Sequence, residues 1–314
     1  MRKDLLSISD LNRREIEHLI EEGLRVKQAG TPPLLSGRTL ALLFEKPSLR
    51  TKVSFDLAMY QLGGHSIYLS PEEVGLGKRE QVNDVARVLS RYVDGIAVRT
   101  FTQQTLRALA AHSSVPVINA LSDLEHPCQA LSDLLTIYEK KGTFPGLTLA
   151  FVGDGNNVAN SLLLAACLVG ISFRLASPPG YSINEDILNQ GKEFAALSGS
   201  QIQVVDSPHE AAKDADIIYA DVWTSMGQES EVEKRRLAFS DYQVDNRLLS
   251  VARADAVLMH PLPAHHGEEI SAGLLDDPHS VVFDQAENRL HLQKALLLKL
   301  LPNAQVSDKW PSLS

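Results

Sequence analysis

The sequence predicts an α/β protein made of two domains, each a doubly wound parallel sheet with helices on both of its faces. Short apolar runs, typical of buried parallel strands, alternate along the chain with segments of helical periodicity. This alternation restarts after residues 142–145, which we predict to connect the two domains. A chain of 314 residues is long enough for two domains of ordinary size.

The first predicted domain opens with an amphipathic helix whose apolar residues recur at helical spacing after residues 9–10. Its predicted strands are apolar runs that cover residues 39–44, 65–69, 95–99 and 115–120. Predicted helices lie between them, over residues 53–62 and 84–92, with a polar, glycine-containing loop over residues 71–82. The strands of the second domain are predicted over residues 147–152, 173–176, 217–222 and 256–259, and an apolar C-terminal helix begins at Glu287.

Bulk properties exclude several classes of protein. A net charge of −9 and only 30 Lys and Arg residues argue against a nucleic-acid partner. Two cysteines cannot form a disulfide framework, which is typical of a reducing compartment. The N-terminus lacks the apolar core of a signal peptide, and the longest apolar run, near residues 162–171, is about half of a membrane span. We therefore expect a soluble, cytoplasmic protein with no membrane partner.

An anion site is predicted where the first strand passes into a helix. Ser48, Arg50 and Thr51 stand at that junction. The start of a helix offers unpaired backbone N–H groups and the positive end of its dipole, and an arginine adds a fork that fits phosphate oxygens. Arg99 and His126 also follow predicted strands, and ligands of parallel sheets collect at the carboxyl ends of the strands. A capped helix with a surface arginine is the plainer interpretation of the tripeptide alone.

Two other chemistries are weakly indicated. Gly153 and Gly155 invite a dinucleotide interpretation, but Val158 stands at the third glycine position and no acidic residue ends the following strand. We expect instead that these glycines let a substrate approach the backbone. Histidines and glutamates over residues 260–269 invite a metal interpretation, but no HExxH pattern or cysteine pair accompanies them. We therefore expect neither a metal nor an organic cofactor.

Five stretches resemble the aspartate/ornithine carbamoyltransferase family, in the expected order and over nearly the whole chain. They are Ser48–Thr51, His126–Gln129, Asp221–Gly227, His260–Pro263 and Glu287–Arg289. The resemblance implies that the C-terminal helix returns to the first domain. It thus implies a carbamoyl-phosphate-binding domain of residues 1–142 with 287–314, and an amino-acid-binding domain of residues 143–286. It also implies a homotrimer, or a multiple of trimers, with sites shared between chains.

The reaction implied by the resemblance is carbamoyl transfer from carbamoyl phosphate to an amine, and the Ser225–Gly227 loop favours ornithine as the acceptor. The implied catalytic residues are Thr51, Arg99, His126 and Arg289. The implied carbamoyl-phosphate ligands are these four together with Ser48, Leu49, Arg50, Gln129 and Leu262. The implied ornithine ligands are Asn157, Asp221, Ser225, Met226 and Pro261.

Four positions depart from the family pattern. Pro261 replaces the usual cysteine beside the acceptor amine, Leu49 a threonine, Lys52 an arginine, and Gly75 a histidine or glutamine. Pro261 leaves open a carbamoyltransferase with another acceptor, such as aspartate, putrescine, a lysine-like amine or N-acylated ornithine. A regulatory module that binds carbamoyl phosphate without turnover would need a lost catalytic residue, and none is lost. A dehydrogenase would bind NADH.

Overall fold

The computed structural model describes residues 3–77, 79–225 and 227–301, and the chain divides into two compact units. Of the described residues, unit 1 comprises 3–11, 18–123 and 289–301, and unit 2 comprises 12–17 and 124–288. The predicted functional boundaries, 1–142 with 287–314 against 143–286, assign binding roles to the two parts and stay a prediction.

Unit 1 is built on a parallel sheet of strands β1 to β4, hydrogen-bonded in the order β2-β1-β3-β4. The strands are β1 Thr39–Phe44, β2 His65–Leu69, β3 Gly95–Arg99 and β4 Val117–Leu121. Its helices are most of α1 Arg13–Ala29, then α2 Leu49–Gln61, α3 Pro71–Val74, α4 Val82–Leu89 and α5 Gln103–His112.

Unit 2 contains a second parallel sheet, in the order β7-β6-β5-β8-β9. The strands are β5 Thr148–Val152, β6 Ser172–Ala176, β7 Ile202–Val205, β8 Ile217–Ala220 and β9 Val257–Met259. Its helices are α6 Pro127–Lys141, α7 Asn157–Val169, α8 Glu185–Ser198, α9 Pro208–Ala212, α10 Val232–Ala238, α11 Asn246–Leu249 and the first part of α12 Val282–Leu300. Residues of α12 from Arg289 onward belong to unit 1.

The central strand of each sheet is buried because its sequence is a continuous apolar run. Residues 40–44 of β1 and 149–152 of β5 have no exposed surface. Such runs, without the alternation of a half-exposed strand, are typical of parallel sheets covered by helices. Each sheet also reverses its strand order once, between β1 and β3 in unit 1 and between β5 and β8 in unit 2. Ligands of doubly wound sheets bind at such reversals, so a binding site is expected at the loops after these strands.

The predicted fold class is confirmed, and several element boundaries differ, most of all in the helices. α2 begins at Leu49, four residues before the predicted start. The predicted loop at residues 71–82 contains α3, which Ser70 and Glu73 cap reciprocally. α4 begins at Val82, two residues before the predicted start. α12 begins at Val282, five residues before Glu287, with Asp284 favourably placed in its first turn. Within the described residues, no helix is both long and apolar enough to cross a membrane.

The glycine pattern of residues 153–155 has an internal cause. A Cβ atom on Gly155 would lie 2.3 Å from the backbone of Ser182 and Ile183, and its N–H donates to the carbonyl of Tyr181 at 2.7 Å. Gly155 therefore lets another segment of the chain approach closely, rather than the substrate approach that the sequence predicts.

Replacing Gly155 by alanine is expected to destabilise the protein by about 2–3 kcal/mol, because backbone atoms must move to admit the methyl group. Gly199→Ala is the matched control. Gly199 has a φ of 80° with open space around its Cβ position, so alanine there meets no neighbouring atom and costs only the strain of the left-handed backbone, roughly 1–2 kcal/mol. Urea unfolding of both variants measures the difference, and equal midpoints would contradict the steric explanation.

Candidate active site

The N-terminus of α2 presents polar groups at the carboxyl end of β1. Ser48 caps the helix: its Oγ accepts from the N–H of Thr51 at 3.3 Å and donates to Thr51 Oγ1 at 3.0 Å. Thr51 Oγ1 also accepts from Arg289 Nη2 at 2.7 Å, and both side chains are buried. Because the Thr51 oxygen already accepts twice, its hydroxyl hydrogen remains to donate to a ligand.

Three guanidinium groups gather at this edge of unit 1. Arg99 ends β3, and its Cα is the register partner of Phe44, the last residue of β1. Arg99 is 7% exposed, and its Nε makes no hydrogen bond to the described residues. Burial, together with the nearby charges of Arg289 and Arg50, lowers the pKa of Arg99 to about 10. Burial also lowers the pKa of Arg50. Like charges held this way favour a bound anion.

Leu49 and Gly75 are placed by the backbone. Leu49 is the first residue of α2 and its side chain is 76% exposed, so the position offers only its backbone N–H to an anion. Gly75 closes α3 in the left-handed conformation, with a φ of 53°. A histidine or glutamine would be strained there, which gives a structural reason for this departure from the family pattern.

In unit 2, α6 begins at the predicted position. His126 is its N-cap and is buried. The His126 N–H donates to Ser161 Oγ at 2.8 Å, and this hydroxyl donates to Glu125 Oε2 at 3.1 Å. These contacts fix the backbone of His126 against α7.

The carboxylate of Asp133 orients the amide of Gln129. Asp133 Oδ1 accepts from Nε2 of Gln129 and from Nε2 of Gln285, both at 2.8 Å, and Asp133 Oδ2 accepts from the hydroxyl of Tyr219 at 2.8 Å. A carboxylate only accepts, so Gln129 must direct Nε2 at Asp133 and keep Oε1 for another donor. Oε1 of Gln129 is buried without a hydrogen bond to the described residues. Burial raises the pKa of Tyr219 well above its usual value, so its hydroxyl remains a donor.

A second buried pair shapes the turn after β9. The Leu262 N–H donates to Nδ1 of His260 at 2.9 Å, so Nε2 carries the proton of the neutral ring and donates to Glu269 Oε1 at 3.1 Å. Gln285 Oε1 accepts from the N–H of His260. Leu262 has a φ of 54°, which costs on the order of 1 kcal/mol for such a residue. Pro261, which is partly buried, lies between these two residues.

Asp221 lies where the strand order of unit 2 reverses. Its Oδ2 accepts from Nδ2 of Asn156 at 2.8 Å, and its Oδ1 accepts from the N–H of Val222. Burial raises the pKa of Asp221, while His260, Asn156 and the Val222 N–H act in the lowering direction. Asn156 Oδ1 caps α7 by accepting from Val158 and Ala159. The predicted ligand Asn157 is partly buried at the first position of α7.

The segment after Asp221 is held by a buried arginine. Arg235 Nη1 donates to Asp154 Oδ2 at 2.8 Å and to the carbonyl of Trp223 at 2.9 Å, and its guanidinium lies over the ring of Tyr181. Burial raises the pKa of Asp154 to about 6, although Arg235 opposes this shift. The Ser225 N–H donates to Gln228 Oε1. Met226 lies outside the described residues.

The structure thus brings the predicted residues of unit 1 into one cluster: Ser48, Arg50, Thr51, Arg99 and Arg289. Sequence reasoning missed several side chains that position the predicted ones: Asp133, Asp154, Asn156, Arg235, Glu269 and Gln285. Asn156 had a usable signal, because asparagine before an apolar helix is a common N-cap. Asp133 and Gln285 are separated by 152 residues and gave none.

Inorganic phosphate is expected to raise the melting temperature of the protein because it binds at the three arginines. Arg99→Met should weaken phosphate binding by about 10–100-fold, since a buried charge-assisted contact is lost. Arg87→Met is the control, because Arg87 is exposed and pairs with Asp84 at 3.5 Å. Calorimetric titration with phosphate at constant ionic strength measures the effect. Equal affinities in wild type and Arg99→Met would place the anion elsewhere.

Two family models match the chain. Residues 3–139 match the aspartate/ornithine carbamoyltransferase carbamoyl-P binding domain, and residues 145–300 match the Asp/Orn binding domain of that family. The ornithine carbamoyltransferase of Anoxybacillus flavithermus is 49% identical over 305 residues, covering 95% of this chain and 96% of that protein. That of Archaeoglobus fulgidus is 50% identical over 303 residues, with coverages of 95% and 97%.

Solved structures agree with the sequence matches. The ornithine carbamoyltransferase from Pyrococcus furiosus superposes with a TM-score of 0.92 at 48% identity, covering 95% of this chain and 96% of that one. The Thermus thermophilus enzyme gives a TM-score of 0.88 at 46% identity, with coverages of 96% and 99%. On its fold, its clustered arginines and these matches, the chain belongs to the aspartate/ornithine carbamoyltransferase family.

Proposed function

We propose that the protein transfers the carbamoyl group of carbamoyl phosphate to the distal amine of L-ornithine, giving L-citrulline and phosphate. The observation that carries this proposal is the arginine cluster around Thr51 in unit 1, which suits a phosphate dianion. Relatives at 49 and 50% identity that carry the name ornithine carbamoyltransferase support the choice of acceptor.

The phosphate group and the carbonyl oxygen of the substrate both need positive partners. Arg50, Arg99 and the helix start at Ser48–Thr51, including the Leu49 N–H, would neutralise the phosphate as the bond between it and the carbonyl carbon breaks. Arg289 would keep Thr51 Oγ1 in place as an acceptor and so direct its hydrogen outward. Thr51, Arg99 and His126 would donate to the oxyanion of the tetrahedral intermediate.

The carbamoyl NH2 group needs acceptors that fix its plane. Gln129 Oε1 and the carbonyl of Leu262 fill this role in the proposal. Support for Gln129 comes from Asp133, which engages its Nε2 and leaves the oxygen for the substrate. Support for Leu262 comes from its hydrogen bond to His260, which holds the unusual backbone conformation.

The acceptor amine must lose its proton before it attacks. An alkylamine with a pKa near 10.4 is neutral in fewer than about one molecule in a thousand at pH 7, a cost of roughly 4–5 kcal/mol. Asp221, Asn157, Ser225 and Met226 would hold the α-amino and α-carboxylate groups of ornithine, with the distal amine directed at the carbonyl carbon. The amine nitrogen then bonds to the carbonyl carbon, and the tetrahedral intermediate expels phosphate as its carbon–oxygen bond breaks and the nitrogen loses a proton. Positioning and electrostatics carry the reaction, with no covalent enzyme intermediate and no organic cofactor.

Pro261 favours one alternative, a carbamoyltransferase with another amine acceptor. The usual cysteine at this position contacts the acceptor amine in the family, and proline offers neither a thiol nor an N–H group. The Ser225–Gly227 loop argues against aspartate, because a second carboxylate needs basic side chains.

The discriminating experiment offers ornithine, aspartate, N-acetylornithine and putrescine separately with carbamoyl phosphate, and measures the ureido product by mass spectrometry. Turnover with ornithine alone is expected. Turnover with only one of the other amines would show that Pro261 marks a different acceptor pocket. Absence of turnover with all four, despite phosphate binding, would contradict a transferase.

We further propose a homotrimer, or a multiple of trimers, that works in the cytoplasm in arginine biosynthesis. The family resemblance supports the trimer, and two buried cysteine residues in a chain of this size suit a reducing compartment. Light scattering after size-exclusion chromatography should give the mass of three chains or a multiple of three. A monomeric mass would contradict the trimer.

Asp133→Ala is expected to lower kcat/KM for carbamoyl phosphate by about 100-fold, because Gln129 loses the carboxylate that accepts from its Nε2 and fixes its orientation. Tyr219→Phe is the matched control, since it removes one donor to Asp133 and leaves the Gln129 contact intact. We expect that variant to lose less than about 10-fold. Steady-state kinetics test this, with the melting temperature of each variant as the check on folding. Equal losses in the two folded variants would contradict the orienting role of Asp133.

A further inference from the structure

A tight turn after β9 gathers three side chains that can bind a metal. The Glu268 N–H donates to the carbonyl of His265 at 2.9 Å, and the Gly267 N–H donates to the carbonyl of Ile270 at 2.8 Å. Gly267 has a φ of 90°, a left-handed conformation that glycine adopts without strain. This turn folds residues 265–269 back on themselves, so that His265 faces Glu268 and Glu269.

The ligand atoms of these residues surround a common point. His265 Nδ1 lies 3.9 Å from Glu268 Oε2 and 3.8 Å from Glu269 Oε2. One ligand atom from each of the three residues lies within 4.8 Å of the other two. A point equidistant from atoms so spaced is roughly 2.2–2.5 Å from each, near the zinc–nitrogen and zinc–oxygen distances of about 2.0–2.2 Å. Small side-chain movements would therefore complete the coordination.

In both Glu268 and Glu269, the carboxylate oxygen Oε1 accepts hydrogen bonds from the protein, which leaves Oε2 for the ion. Arg236 donates to Glu268 Oε1 from Nε at 3.1 Å and from Nη2 at 2.7 Å. Glu269 Oε1 accepts from His260 Nε2 at 3.1 Å and from the His265 N–H at 2.6 Å. Hydrogen bonds of this kind orient ligands around protein-bound metals and raise their affinity.

The backbone of the turn is anchored as well. The carbonyl of Glu269 accepts from the N–H of Val244 at 2.9 Å. The carbonyl of Glu268 accepts from Nε2 of Gln243 at 2.7 Å. The three ligand residues thus sit on a turn whose position is fixed before any ion arrives.

Glu269 supplies an independent sign of a ligand. Its side chain is fully buried, and its Oε2 makes no hydrogen bond to any residue that the structure describes. A buried carboxylate oxygen left in this state costs free energy, so such atoms usually have a partner. This oxygen faces His265 Nδ1 and the centre of the three ligand atoms.

We propose that His265, Glu268 and Glu269 bind a divalent transition-metal ion, with Zn²⁺ preferred. One imidazole with two carboxylates suits Zn²⁺, whereas Mg²⁺ and Ca²⁺ prefer sites made of oxygen alone. Water fills the remaining positions. This differs from the sequence-based expectation of no metal, because ligands supplied by one turn match neither an HExxH pattern nor a cysteine pair.

The ion would stabilise the neighbouring turn that carries Leu262. Glu269 would bind the ion through Oε2, while its Oε1 accepts from Nε2 of His260. Nδ1 of His260 in turn accepts from the Leu262 N–H. The ion therefore fixes His260 through a carboxylate already in place. This inference stands independently of the proposed transferase activity.

The test is calorimetric titration of the full chain, freed of metal by a chelator, with Zn²⁺ alone. We expect one ion per chain, binding at least 10-fold weaker in His265→Ala and in Glu268→Gln. His266→Ala is the matched control, because His266 is an exposed histidine on the same turn. The Zn²⁺ affinity of this variant should equal that of wild type. Mg²⁺ should bind at least 10-fold more weakly than Zn²⁺.

Hydrogen exchange gives a second readout. Zn²⁺ should slow exchange of the Leu262 and Gly267 amides in wild type and leave them unchanged in His265→Ala. The inference is overturned if wild type binds no Zn²⁺, or if His265→Ala and Glu268→Gln keep the wild-type affinity. It is equally overturned if His266→Ala weakens binding as much as His265→Ala does.

Discussion

Repulsion among three guanidinium groups at the carboxyl edge of the first sheet is the constraint on which the site depends. Arg99 is buried there with its pKa lowered to about 10, and Arg50 and Arg289 add positive charge close by. Holding these charges together costs stability, and the cost is recovered when an anion binds. The parallel sheet makes the arrangement rigid, since Arg99 is fixed beside Phe44 by strand register and Thr51 by the first turn of α2. A phosphate therefore meets donors that need little rearrangement, which is the condition for electrostatic catalysis.

In unit 2, buried carboxylates rather than guanidinium groups fix the polar side chains of the site. Asp133 and Asp221 are buried carboxylates, each satisfied by side chains from distant parts of the sequence. Buried carboxylates with several donors keep those donors in fixed orientations, which positions Gln129 and Asn156. Arg235 adds a buried pair with Asp154 and so ties the segment after β8 to the loop after β5. The preference for a cationic amino acid that we propose follows from this acidic interior.

Much of the fold was predictable because strand patterning is local. The bounds of β1, β2 and β3 follow directly from apolar runs, and the start of α6 after His126 follows from the proline in its first turn. The positioning residues were not predictable in this way. Gln285 reaches Asp133 across 152 residues, and Arg235 stood in a segment rich in charge that gave no sign of its burial. Such contacts depend on tertiary packing, which periodicity does not encode. Gly155 is the opposite case, a local motif that misleads. Its glycine pattern is typical of ligand binding, but Gly155 lies against the backbone of residues 182–183.

The most direct test of the electrostatic account is the ionisation of phosphate bound to the protein, followed by its phosphorus NMR shift as the pH is lowered. Three guanidinium groups should hold the bound phosphate as a dianion, so its titration midpoint should fall at least about one pH unit below that of free phosphate in the same sample. Bound phosphate that titrates at the midpoint of free phosphate would contradict the claim that clustered arginine charge governs this site.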